Sequence, residues 1–200
     1  EALYNQSLKM REAALGPRHP DVAETLNNMG SLYADTGRVA EAEAAYRRAI
    51  AIVEPALGPK HAYLAAVINN LATLYNQTGR YADALPLFER AGTITTGTLA
   101  ASHPQVLASL NNRAAALMAQ GKTAEAEPLL KQALAGQETS LGPDHPNLAP
   151  TLINMARLQA SQGRYNDALP IYERAITIER GALGNDHPIF LADRHRHVVH

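Results

Sequence analysis

The string Leu-Gly-Pro-Arg-His-Pro at Leu15–Pro20 returns every 42 residues, at Leu57–Ala62, Leu99–Pro104, Leu141–Pro146 and Leu183–Pro188. A fixed period of this size constrains the fold more than any other feature of the chain. Each period is one supersecondary unit that cannot bury its apolar face alone and must stack on copies of itself. The period marks four full units, 17–58, 59–100, 101–142 and 143–184. Glu1-Ala2-Leu3-Tyr4 aligns with Glu43-Ala44-Ala45-Tyr46, so 1–16 reads as the second helix of a truncated repeat and the chain as a piece of something longer. Residues 185–200 read as a linker and a divergent partial repeat or cap, because Arg194-His195-Arg196-His197 occupies the register of Leu152-Ile153-Asn154-Met155.

Within a unit, apolar spacing switches helices on and off. Val22, Ala23, Leu26, Met29, Gly30 and Tyr33 fall at intervals of three and four, which predicts a first helix over Pro20–Asp35. Thr36-Gly37 breaks it, since glycine readily takes the left-handed conformation that closes a helix. Ala42, Tyr46, Ala49, Ile50 and Val53 form the buried stripe of a second helix over Val39–Leu57, which Gly58-Pro59 ends. Connections this short make neighbouring helices antiparallel. The expected fold is all-α: an α-solenoid, a right-handed superhelix of antiparallel helix pairs with one concave face. Alanines at Ala42, Ala84, Ala126 and Ala168, and at Ala49, Ala91, Ala133 and Ala175, mark the closest helix approaches.

Departures from the period carry information too. Arg113 stands where Met29, Leu71 and Met155 stand, and Gln159 replaces Tyr33 and Tyr75. The run Gly92-Thr93-Ile94-Thr95-Thr96-Gly97 has poor helix propensity and is the expected hinge. Pro86, Pro128 and Pro170 sit about one turn into second helices, and Pro150 falls in the first helix of the fourth unit; each should remove a helix hydrogen bond or bend the helix.

Charge and composition exclude several functions. Lys and Arg total 18 against 19 Asp and Glu, a formal charge of −1 spread through the units. No cationic field gathers phosphates, which argues against a nucleic-acid partner. No apolar run nears the roughly 18 residues of a membrane span, so no membrane partner is expected. Cysteine is absent, which removes disulfides, thiolate metal sites and thiol catalysis.

His19, His61, His103, His145 and His187 recur in phase. Equivalent positions lie two helices apart, and with packed axes about 8–10 Å from each other they cannot converge on one metal. Their expected role is to set and cap the start of each first helix. No nucleophile elbow, His-Glu-x-x-His helix or phosphate loop occurs, and Gly121-Lys122-Thr123 merely aligns with the turns Gly37-Arg38-Val39 and Gly79-Arg80-Tyr81. Paired carboxylates such as Glu41 and Glu43 lie two apart on a helix and diverge. No enzyme activity, metal or cofactor is expected.

Asparagine is different. Asn28, Asn70, Asn112 and Asn154 hold one first-helix position in all four units, preceded by Asn27, Asn69 and Asn111 in three. Local stability does not ask for asparagine in mid-helix. The wheel stripe of this position is Glu24, Asn28, Ser31 and Asp35 in the first unit, and Ala66, Asn70, Thr73 and Gln77 in the second. It continues as Ala108, Asn112, Ala115 and Ala119, then Pro150, Asn154, Arg157 and Ser161. Polar or small and away from the apolar face, it should line the concave surface. An amide donates and accepts, and so can engage the backbone of an extended peptide without reading its side chains. The alternative is that one asparagine of each pair bridges helices and holds the repeat spacing.

Leu26-x-x-Met29-Gly30-x-x-Tyr33 followed by Ala42-x-x-x-Tyr46-x-x-Ala49, repeated at Ile68, Leu71, Ala72, Tyr75, Ala84, Phe88 and Ala91, resembles the tetratricopeptide repeat over nearly the whole chain. That unit is usually about 34 residues. The 42-residue period, the longer second helix, the Leu-Gly-Pro-x-His-Pro linker and Leu-Asn-Asn in the first helix resemble the kinesin light chain subfamily. HEAT or armadillo repeats are the alternative for the fold. The resemblance implies a cytoplasmic protein whose concave surface binds a protein or peptide, with first-helix asparagines on the ligand backbone. Kinesin light chain grooves take acidic adaptor peptides through basic side chains. Here only Arg157 and Arg113 add positive charge, opposed by Glu24 and Asp35, so a ligand of mixed charge or fixed direction is expected. Three functions follow: a peptide-binding interaction module, a sensor or regulatory array of a larger signalling enzyme, and a scaffold that self-associates weakly through its stack ends.

Overall fold

The computed structural model describes residues 1–183; the fifth linker string beyond Leu183, His187 and the expected cap at 185–200 lie outside the described residues. A second helix, α1 (Ala2–Leu15), is followed by helix pairs α2 (Pro20–Asp35) with α3 (Val39–Leu57), α4 (Ala62–Gln77) with α5 (Tyr81–Thr98) and α6 (Pro104–Ala119) with α7 (Thr123–Leu141). The fourth pair is α8 (Ala149–Ser161) with α9 (Tyr165–Leu183). The described residues form an all-α solenoid.

Local chemistry sets these boundaries. His19, His61, His103 and His145 are extended N-cap residues whose Nδ1 accepts the backbone N–H two residues on, from Asp21, Tyr63, Gln105 and Asn147, at 3.1–3.2 Å. This satisfies one orphan donor per helix start and puts the ring proton on Nε2. Gly37, Gly79, Gly121 and Gly163 take φ of 74–77° in the turns between paired helices, a conformation that strains any side chain. In the linkers Gly16, Gly58 and Gly142 do likewise, but the third linker has Ala100 at that register, and α5 ends a residue early with Leu99 extended.

Proline at 150 does not interrupt a helix as the sequence suggests. The segment Pro146–Leu148 forms a short 3₁₀ turn and α8 starts at Ala149, so Pro150 falls in the first turn, where its missing N–H is harmless. Pro55, Pro86, Pro128 and Pro170 do lie inside α3, α5, α7 and α9.

Packing within pairs depends on small residues. A Cβ at Gly30 would lie 2.6 Å from Tyr46 Cε1, so α2 and α3 approach as closely as glycine allows. In the third repeat the volumes trade places: Gly136 stands in the register of Ile52 and Ile94, and Leu107, where siblings have Ala23 and Ala65, fills the space. Neighbouring first helices approach within 8 Å between Cα atoms, α2 to α4, α4 to α6 and α6 to α8, while second helices do not pack on one another to that degree. The first helices therefore line the inner face. No described helix is long and apolar enough to cross a membrane.

Candidate binding groove

The asparagine doublets form a ladder along the inner face. Asn70 Nδ2 donates to Asn27 Oδ1 at 2.9 Å, Asn112 to Asn69 at 3.3 Å and Asn154 to Asn111 at 3.0 Å. Each bond spans 43 residues, one period plus one, so Asn70, Asn112 and Asn154 each reach back to the first residue of the preceding doublet. Both asparagines of the second and third doublets thus bridge helices, one as donor and one as acceptor, while in the first only Asn27 does. The donors are not used up: each keeps its amide oxygen and one N–H, and none of these atoms is sealed from solvent without a partner. Asn28 has no preceding doublet and is exposed.

The other expected groove residues divide. Ser31 is occupied, its hydroxyl donating to the Asn27 carbonyl at 3.3 Å and lying 3.1 Å from the Tyr46 hydroxyl. Thr73 donates to its own helix at Asn69. Glu24 is paired with Arg11 at 2.8 Å, so the acidic end of the groove expected from sequence is partly neutralised. Gln77 and Asp35 are exposed at the ends of α4 and α2. Arg157 is exposed and makes no ion pair among the described residues. With Ala115, Ala119, Asn154 and Ser161 it lines a recess of about 190 Å³ between α6 and α8. Arg113 is half-buried, its Nε sealed without a hydrogen-bond partner and its Cδ within 3.4 Å of where a Cβ on Gly92 would be.

Two further recesses open beside the ladder, and they are copies of each other one repeat apart. The first, about 220 Å³, lies between α4, α5 and α6 and includes Asn69, Asn70, Thr95, Gln105 and Ser109. The second, about 350 Å³, lies between α6, α7 and α8 and includes the equivalent Asn111, Asn112, Gln137, Asn147 and Thr151. Ser109 Oγ, Gln137 Oε1 and Thr151 Oγ1 are sealed and have no protein partner, on residues 5, 8 and 1% exposed. A buried polar atom left unpaired costs about 1–3 kcal/mol. At the first junction the same registers hold Val53, Val67 and Tyr63, all packed in or against the core; burial above all, then the charge of Glu24, pushes the Tyr63 hydroxyl up to about 12.

Along the second helices, ion pairs tie the first, second and fourth repeats to the unit before. Arg38 bonds Glu1 at 2.8 Å, Arg80 bonds Glu43 at 2.7 Å and Arg164 lies 3.6 Å from Glu127. A second row joins Arg48 to Glu12, Arg90 to Glu54 at 2.6 Å and Arg174 to Glu138 at 2.6 Å. Both rows skip the junction of the second and third repeats, where Leu85 faces the Lys122 register and Thr96 the Gln132 register. Glu43 is held down at about 2, first by the Tyr75 hydroxyl that donates to it and then by Arg47 and Arg80. These perturbations belong to structural ion pairs. No group of three His, Asp or Glu among the described residues could hold a metal.

The tetratricopeptide repeat model matches residues 1–54, 21–95 and 105–181. No curated protein sequence matches the chain. Among solved structures it is similar to nearly identical TPR-like repeats of kinesin light chain type from Podosopora anserina, at 27% identity and TM-score 0.71, covering 92% of this chain and 87% of that one. A variant of the same repeats gives 28% identity and TM-score 0.74, covering 90% and 85%. BtubC (BKLC) from P. vanneervenii shares the fold, with TM-score 0.77 at 23% identity over 94% of this chain and 74% of that one.

Proposed function

Because the chain belongs to the tetratricopeptide repeat family, with repeats of the kinesin light chain type, we propose that it is a non-catalytic interaction module that holds an extended partner segment along its first helices. Repeats of this family are generally protein–protein interaction modules. The observation that carries the finer reading is the asparagine row: Asn70, Asn112 and Asn154 each spend one N–H on the neighbouring repeat and keep an amide oxygen and one N–H without a protein partner. Those are the two groups a peptide backbone needs. Asn28 extends the row, and the unpaired Arg157 favours a carboxylate on the ligand near the fourth repeat.

The ladder complicates a simple alanine scan, because Asn112→Ala removes a bridge as well as a contact. Asn69→Ala removes the same bridge and leaves Asn112 in place. Peptides selected by display on the whole chain should therefore lose about tenfold in affinity with Asn112→Ala and no more than about twofold with Asn69→Ala, one hydrogen bond being the difference. Equal affinities for both variants and the parent chain would remove the asparagine row from the binding surface.

A further inference from the structure

We infer that the two homologous recesses at the second and third junctions are paired anchor subsites for carboxamide side chains, glutamine or asparagine, carried by one extended partner segment; this rests on the groove reading above. The two are built from equivalent registers, open beside the asparagine ladder, and have floors of sealed polar atoms that no protein group satisfies: Ser109 in one, Gln137 and Thr151 in the other. Stacking does not demand those polar floors. The first junction closes with Val53 and Val67 in the same registers, so apolar filling is available to this scaffold.

The chemistry of the floor selects the ligand. No charged side chain lines either recess, so an ion would enter without a counter-charge. An apolar side chain would leave Gln137 Oε1 and the Thr151 hydroxyl unpaired. Both atoms are closed to solvent, so a small rearrangement of the recess floor accompanies entry of a carboxamide, which then satisfies both, its N–H₂ donating to Gln137 Oε1 and its oxygen accepting from Thr151, while its methylenes lie against Leu107 and Pro104. Gln137 is fixed for that role, since its Nε2 already donates to the Asn147 carbonyl at 3.3 Å and leaves the oxygen as the free acceptor. Size supports a ligand group over a single structural water: the larger recess is about 350 Å³, against roughly 30 Å³ for one water. The smaller, at about 220 Å³ with one hydroxyl on its floor, suits asparagine.

The test uses N-acetyl-L-glutaminamide, which is too short to span the asparagine row, so its result is independent of peptide binding in the groove. Titrated into the whole chain, it should shift the NMR methyl resonances of Leu107 and Thr151 and the side-chain amide of Gln137. N-acetyl-L-leucinamide should bind about tenfold more weakly, having no group for the floor. The double variant Gln137→Leu/Thr151→Val copies the apolar chemistry of the first junction and should stay folded by circular dichroism while losing the glutaminamide shift of the Leu107 methyls, the reporter it retains. An equal response to both probes, shifts that survive in the double variant, or no response in the parent chain, meaning that only water occupies the recess, would each overturn the inference. The groove reading would then still stand or fall on Asn69→Ala and Asn112→Ala.

Discussion

The junction between the second and third repeats should open before the other two. Both rows of ion pairs skip it, its linker has Ala100 in place of a positive-φ glycine, and α5 reaches it through Gly92, Gly97 and a run of threonines. The large apolar cluster of the first two repeats, Val22 through Ile94, crosses it through Ala116 and the half-buried Leu85, and the other apolar clusters lie in repeats three and four. In a linear array each interface term sets local cooperativity, so a weak interface shows directly as local opening. Thr96→Glu with Gln132→Arg would recreate the Glu54–Arg90 pair one repeat on, on two exposed positions. An exposed pair contributes about 0.2–1 kcal/mol. Taking about 0.5 kcal/mol, opening should become about twofold rarer. Hydrogen exchange read by mass spectrometry should show faster exchange at the end of α5 and start of α6 than at the α3–α4 and α7–α8 junctions, slowed about twofold in the double variant and unchanged in either single one. Equal protection at all three junctions of the parent chain would show that the junction of the second and third repeats is no weaker than its neighbours.

Other outcomes follow from single sites. Ala84 is fully buried, so Ala84→Leu should cost about 1–3 kcal/mol in urea denaturation, the usual cost of overpacking. His103→Ala should lose the helix cap at a cost of about 1 kcal/mol, while His103→Asn should keep most of it, both read from thermal melts. Glu43 has its pKa lowered from 4.5 to about 2 in the folded chain. A depressed carboxylate stabilises above its unfolded pKa and loses that contribution as pH falls through the folded one. The stability advantage of the parent chain over Glu43→Gln should therefore be full above about pH 5 and shrink towards pH 2 in acid titrations of the urea midpoint.

Much of this fold is legible in the sequence because its boundaries are punctuated. His-Pro, Thr-Gly and Leu-Gly-Pro place α2 at Pro20–Asp35 and α3 at Val39–Leu57, as the periodicity predicts. Pro150 defeats the same rule, because a preceding Pro146 lets a 3₁₀ turn absorb the start and moves the helix origin to Ala149. The groove is less legible. Helical spacing puts Ser31 on the asparagine stripe, yet its hydroxyl is held by Tyr46, a partner fifteen residues away across the helix pair. The ladder joins residues 43 apart, and the signal for it is the doublet itself, since adjacent asparagines recurring every 42 residues generate that offset. The recesses leave a signal only when repeats are compared register by register, where Val53, Val67 and Tyr63 give way to Thr95, Ser109 and Gln105, then to Gln137, Thr151 and Asn147. That these substitutions leave space and unpaired atoms depends on packing in three dimensions.

Partner binding should engage the first helices and not the second. Peptides selected by display on the whole chain, then mapped by backbone-amide NMR titration, test it directly. Shifts should concentrate at Asn70, Asn112, Asn154 and Arg157 along α4, α6 and α8. Shifts confined to the outer rows around Arg48, Arg90 and Arg174 on the second helices would contradict it.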